Sequence, residues 1–188
     1  MLENAIHEID ESNRQDPRMQ TVGGITHPRE WIFAQTVSKW VERLNPTAPE
    51  SVRLAARGHT LRRWEIPRDR YPMDTAGYHE WRKDTAKHSA KWTTEILMRV
   101  SYPEEMIQAV RKLITREIPP NHPDAQLLED ADCLAFLEIK LDQYLSAWDD
   151  QKMERILHGT WRKMSPEAHQ AAQGLPLDNR IKKIISRF

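Results

Sequence analysis

Apolar residues recur along this chain at intervals of three and four, and no segment alternates apolar and polar positions as a half-buried strand does. The pattern predicts an all-α protein. Between Arg29 and Leu44, the residues Trp31, Ile32, Ala34, Val37, Trp40, Val41 and Leu44 share one face, and Asn45-Pro46 closes the helix. A second helix starts at Thr47-Ala48-Pro49-Glu50 and is expected to end near Trp64, because Pro67 disfavours helical geometry before it. The stretch Glu65 to Asp74 then reads as a loop. Asp74 caps a long helix to about Tyr102, and Pro103 opens another through Ile114. After a loop from Ile118 to Pro123, Leu127, Leu128, Ala131, Leu134, Leu137, Leu141 and Leu145 predict one helix from Asp124 to Trp148. Met153 to Met164, a short helix capped by Ser165-Pro166-Glu167, and a last amphipathic turn or two through Ile181 complete the chain. At the other end Leu2, Ile6 and Ile9 form a short helix or arm ahead of the Gly23-Gly24 loop. Residues 1–28 are therefore expected as an arm, and residues 29–188 as a single helical domain.

Composition narrows the function. A chain of 188 residues can close one core without staples, and its lone Cys133 excludes an intramolecular disulfide framework or a Cys-rich zinc cluster. A reducing, cytoplasmic setting is expected. The 28 Lys and Arg balance 28 Asp and Glu, so nucleic acid is the less favoured partner. No apolar run approaches the length of a membrane span, so no membrane partner is expected. There is no Walker loop, dinucleotide fingerprint or nucleophile elbow; His79-Glu80 lacks the second histidine of a metalloprotease helix, and no Glu-x-x-His occurs.

Two ionisable residues fall on inward stripes: His88 among Trp81, Thr85 and Trp92, and Asp130 beside Leu134, Leu137 and Leu141. A buried carboxylate needs a cation, a metal or a cluster of donors opposite it. The plainer reading makes His88 a satisfied core histidine and Asp130 a solvated helix-end charge. The segment from His59 to Met73 gathers Arg62, Arg63 and Arg68 with Trp64 and Tyr71, close to Trp81 and Arg82 on the next helix. Guanidinium forks match phosphate or carboxylate oxygens, and aromatic rings can wall a pocket, so a small anionic or phosphorylated ligand is expected there. The competing reading is a surface network with Glu65, Asp69 and Asp74.

The run Ala55-Ala56-Arg57-Gly58-His59-Thr60-Leu61-Arg62-Arg63-Trp64-Glu65-Ile66-Pro67-Arg68 looks like the signature of an uncharacterised family, domain of unknown function 4202. So do Tyr71-Pro72-Met73, Ala76-Gly77-Tyr78, Trp81-Arg82, Leu127-Leu128-Glu129-Asp130, Cys133-Leu134, Phe136-Leu137-Glu138 and Thr160 to Ser165. That resemblance runs roughly from Arg29 to the C-terminus and implies kinship without an activity. More distantly, the order of a helix-end His, a second helical His and a late helical Asp resembles the HD superfamily of metal-dependent phosphohydrolases. The resemblance implies an HD-like helical bundle with His59, His88 and Asp130 as catalytic residues and ligands of a divalent metal ion. Thr60 stands where the paired aspartate would be, and Gln35 about where the first histidine would be.

Two functions follow as expectations. One is an HD-like hydrolase of a small phosphorylated metabolite or nucleotide, with Arg62, Arg63, Trp64, Arg68, Tyr71, Trp81 and Arg82 holding the substrate. The other is a binding module in which the same residues hold a nucleotide, sugar phosphate or RNA unchanged.

Overall fold

A computed structural model of the chain describes residues 1–119 and 121–188. Helices α1 (Leu2–Asn13), α2 (Arg29–Leu44), α3 (Glu50–Gly58), α4 (Thr75–Arg99), α5 (Glu104–Thr115) and α6 (Pro123–Ala135) build the body. Helices α7 (Asp150–Trp161), α8 (Pro166–Gln173) and α9 (Asn179–Ile185) close one end of it. The protein is an all-α single domain with one small hairpin. The caps are the ones the side chains dictate: Asp74 accepts from the Gly77 N–H at 2.8 Å to start α4, and Ser165 from Ala168 N–H at 3.2 Å to start α8.

Helix α3 is the hub, in contact with α1, α2, α4, α5 and α6. Small residues allow this crowding. Leu54, Ala55 and Ala56 have no exposed surface, and the Gly58 carbonyl accepts a hydrogen bond from Thr93 Oγ1 of α4 at 3.1 Å. A Cβ on Gly58 would run into that threonine side chain. Val37, Trp40 and Val41 of α2, Leu134 of α6, Leu97 of α4 and Val110 of α5 belong to one continuous core, in which α2 packs on α6 and α4 on α5. The amino-terminal segment is built into the same body: Ala5 and Ile9 of α1 are fully buried, with Ile9 packed beside Leu61 and Ile96.

Three elements differ from the sequence pattern. Strands β1 (Met19–Val22) and β2 (Ile25–Pro28) pair antiparallel, with Val22 opposite Ile25, around Gly23 and Gly24. Both glycines have positive φ, 58° and 82°, as two-residue primed hairpin turns require. Helix α3 stops at Gly58 instead of Trp64, because Arg62 adopts left-handed backbone geometry (φ 56°) ahead of a 3-10 turn at Arg63–Glu65. The expected helix from Asp124 to Trp148 breaks after Ala135 into a π-helical stretch, Phe136–Lys140, and a 3-10 turn, Leu141–Tyr144. The Ile139 carbonyl in that stretch receives side-chain amides from Gln20 of β1 and, at 3.3 Å, from Gln143. The expected loop from Ile118 to Pro123 includes residue 120, which lies outside the described residues.

Candidate functional site

A cavity of about 660 Å³ opens between the end of α3, the first half of α4, the end of α5 and the start of α6. Helix α3 delivers His59 and Thr60 to it, because the chain leaves the crowded hub there. Helix α4 contributes Tyr78, Arg82 and Lys83, and Arg63 enters from the 3-10 turn. Leu113, Ile114 and Leu128 form an apolar wall from α5 and α6. Among the lining residues, Arg63, Arg82, Lys83, Arg116, Arg162 and Lys163 outnumber the carboxylates Glu129 and Asp132.

His59 is held at both ring nitrogens. Nδ1 lies 3.0 Å from the Ala56 carbonyl oxygen and Nε2 lies 3.1 Å from Asp132 Oδ1. Both partners are acceptors, and whichever ring nitrogen carries a proton donates to the one it faces. Asp132 is stabilised as an anion in turn. Burial would raise its carboxyl, but the His59 hydrogen bond, the His59 charge, Arg82 and Arg116 hold it well below the usual carboxylate range. An Arg82 Nη lies 3.9 Å from Asp132 Oδ2. Arg63 stacks 4.5 Å above the Trp81 ring, and burial disfavours its charge despite Glu30 nearby. The buried Thr60 hydroxyl has no hydrogen-bond partner in the protein.

The trio expected from sequence does not converge. Asp130 does face inward, 4% exposed, but its Oδ1 accepts from Gln126 Nε2 at 2.9 Å and from the Ser165 N–H at 2.8 Å. A cluster of donors satisfies it, with no histidine involved. His88 Nε2 instead pairs with Glu65 Oε2 at 2.8 Å, away from the cavity lining. His59 takes Asp132, two residues beyond Asp130, because two helical residues lie about 200° apart around the axis. Gln35 is spent on Asp10 Oδ2 at 2.9 Å. The divalent metal implied by the HD resemblance does not fit these residues. Both ring nitrogens of His59 already face protein partners, Thr60 is no carboxylate, and Asp130 and His88 face other partners. Among the described residues no three His, Cys, Asp or Glu side chains gather as a metal site.

Of the expected ligand-binding residues, Arg63 and Arg82 line the cavity, and Trp81 supports Arg63 from behind. The others build the loop. Arg62 turns away to lie 3.9 Å over Trp92 and bonds Glu65 Oε1 through Nε at 2.7 Å. Arg68 spends its guanidinium on the Tyr71, Pro72 and Asp74 carbonyls, at 3.1, 2.7 and 3.2 Å. Tyr71 donates to Asp84 Oδ2 at 2.9 Å, Trp81 Nε1 to the Ile66 carbonyl at 2.9 Å, and Trp64 is half-buried outside the lining.

Beside the cavity sits a second ion cluster that sequence patterning missed. Glu30, 2% exposed, accepts from Arg18 Nη2 at 2.9 Å and faces Lys140 Nζ at 3.9 Å, while its N–H donates to Asp16 Oδ2 at 3.1 Å. Against the burial that would raise it, Lys140, Arg63 and Arg18 hold Glu30 down at about 2. Burial pushes Lys140 down to about 7, with Glu30 opposing. The Lys140 ammonium lies 3.3 Å from the centre of the Phe33 ring, whose other neighbour is the His59 ring at 5.9 Å. The hairpin is thereby tied electrostatically to the rear of the site.

A family model described as a domain of unknown function, DUF4202, matches residues 3–185. The chain belongs to that family. The matched span of this DUF4202 protein includes every residue that lines the cavity and all of α1 except Leu2, and it lends no support to the more distant HD likeness. No curated protein and no solved structure matches the DUF4202 chain.

Proposed function

We propose that this protein binds a small phosphorylated molecule, a nucleotide or sugar phosphate, in the cavity at the end of α3, with Arg63 and Arg82 as the anion-holding groups. The observation that carries the proposal is the charge of the lining, where cations outnumber carboxylates around a concave space that also has an apolar wall. Burial makes the charge on Arg63 costly, and an oxyanion beside it would relieve that cost. The aliphatic wall from Leu113, Ile114 and Leu128 suits the uncharged body of such a ligand. Binding without turnover is favoured over hydrolysis, because both ring nitrogens of His59 are taken up by protein partners.

Calorimetric titration with nucleotides and sugar phosphates tests this. Binding that weakens about 10- to 100-fold in Arg82→Ala, the loss of a charge-assisted hydrogen bond, supports it. A folded wild-type protein that binds no phosphorylated molecule across such a panel overturns it. Phosphate release from a bound ligand, abolished in His59→Asn, would replace the binding function by the hydrolase.

A further inference from the structure

We infer that the ligand carries two separate anionic groups, one held deep in the cavity and one at its mouth, as in a sugar bisphosphate. The inference rests on the binding function proposed above and names the ligand class of that same cavity. Helix α6 places two carboxylates three residues apart, Glu129 and Asp132, and each is a point where cations converge. Around Asp132 lie His59 Nε2 at 3.1 Å and Arg82 at 3.9 Å, with Arg63 close by. Around Glu129 lie Arg116 Nη2 at 2.8 Å and Lys163 Nζ at 3.4 Å. The first set is deep: the His59 and Arg82 side chains are 12% and 28% exposed. The second is at the mouth, with Arg116 and Lys163 at 52% and 53%.

Residues three apart on a helix face stand about 5–6 Å from each other between Cβ atoms. Two anion sites spaced in that way suit groups carried on different carbons better than two phosphoryl groups sharing one oxygen. One carboxylate cannot neutralise the several donors of Arg116 and Lys163, so the outer pair keeps donors for an incoming oxyanion. The backbone at Arg116 adds an independent observation. It occupies the position after α5 with φ 60° and ψ 35°, left-handed geometry that glycine adopts without strain and other residues do not. From that position the long cationic side chain reaches Glu129 at the cavity mouth.

The test compares glucose 1,6-bisphosphate, glucose 6-phosphate and inorganic pyrophosphate by calorimetry on the full chain. The bisphosphate is expected to bind about 10- to 100-fold more tightly than the monophosphate, the increment of a second charge-assisted contact. Pyrophosphate should fall short of the bisphosphate. Arg116→Gly combined with Lys163→Ala should bring the ratio of bisphosphate to monophosphate affinity towards one. Arg116→Gly alone should narrow that ratio while raising the melting temperature, since it relieves the left-handed backbone, and a folding failure would not produce that combination. Glu129→Gln, which frees the outer cations, should widen the ratio. Equal affinity for the two glucose phosphates in the wild type overturns the two-anion inference and leaves the binding function standing. So does a ratio unmoved by the Arg116 and Lys163 substitutions. If none of the three probes, nor any other phosphorylated molecule, binds, the inference falls together with the binding function.

Discussion

Replacing Glu30 by Gln should cost stability in a way that depends on pH, because the buried carboxylate is held ionised by cations around it. Its value falls from an ordinary 4.5 to about 2, and at 2% exposure solvent screens little of the interaction. That difference corresponds to about 3 kcal/mol of stability at neutral pH. A carboxyl depressed in the folded state contributes its full share above the unfolded value of 4.5 and loses it as pH falls through about 2. Glu30→Gln should therefore be less stable than the wild type by about 3 kcal/mol at about pH 7, by roughly 1 kcal/mol at about pH 3, and by little below pH 2. Urea denaturation at matched low ionic strength measures the gap at each pH. A gap of equal size at about pH 7 and pH 3 would refute the electrostatic account and make the loss one of packing. A gap under about 1 kcal/mol at neutral pH would show that Arg18 and Lys140 are solvated more than their burial implies.

Gly58→Ala should destabilise by about 1–3 kcal/mol, overriding the helix preference of alanine, because the new methyl meets Thr93; denaturation of Gly58→Ala with Thr93→Ala should show part of the loss recovered. Asp74→Ala should lose about 1 kcal/mol through the uncapped Gly77 N–H, read as a lower urea midpoint at unchanged m-value. The Cys133 thiol, raised well above its ordinary value by burial and by Glu129 and Asp132, should react with an aromatic disulfide reagent only as the chain unfolds, and rapid native labelling would contradict that placement.

Helices with a continuous apolar stripe and a capping side chain were legible. Arg29 to Leu44 has the predicted bounds, and Asp74 and Ser165 cap as their types require. The hairpin was not, because its strands are four residues each, half of their positions are exposed, and only Gly23-Gly24 marked it. The break after Ala135 was hidden by Leu134, Leu137, Leu141 and Leu145, whose spacing continues as if the helix did. At the site, His59, Arg63 and Arg82 were legible as a basic cluster at a helix end. The partner of His59 was not: Glu129, Asp130 and Asp132 crowd one turn of α6, and apolar spacing favoured Asp130, which is buried but satisfied by Gln126 and Ser165. Asp132 is 73 residues from His59 along the chain. Local pattern carries no information at that range. Arg116 and Lys163 were missed for the same reason, since their role depends on a carboxylate of another helix.

The π-helical stretch Phe136–Lys140 is equivalent to one extra residue slipped into a helix. Each helical residue advances the chain by about 100°, so everything downstream is rotated by that much relative to an uninterrupted α6. The rotation sets the Lys140 ammonium against Glu30 and Phe33, and it presents the Ile139 carbonyl to Gln20 of the hairpin. A chain shortened by one residue within this stretch could run as a regular helix, and its local hydrogen bonding would improve. Yet Lys140 would swing out of register with Glu30, the hairpin would lose its anchor, and the floor behind His59 would keep a buried carboxylate with fewer cations to face. Local regularity and the charge balance of the site are thus in opposition here, and an irregular helix is the form in which this sequence resolves them.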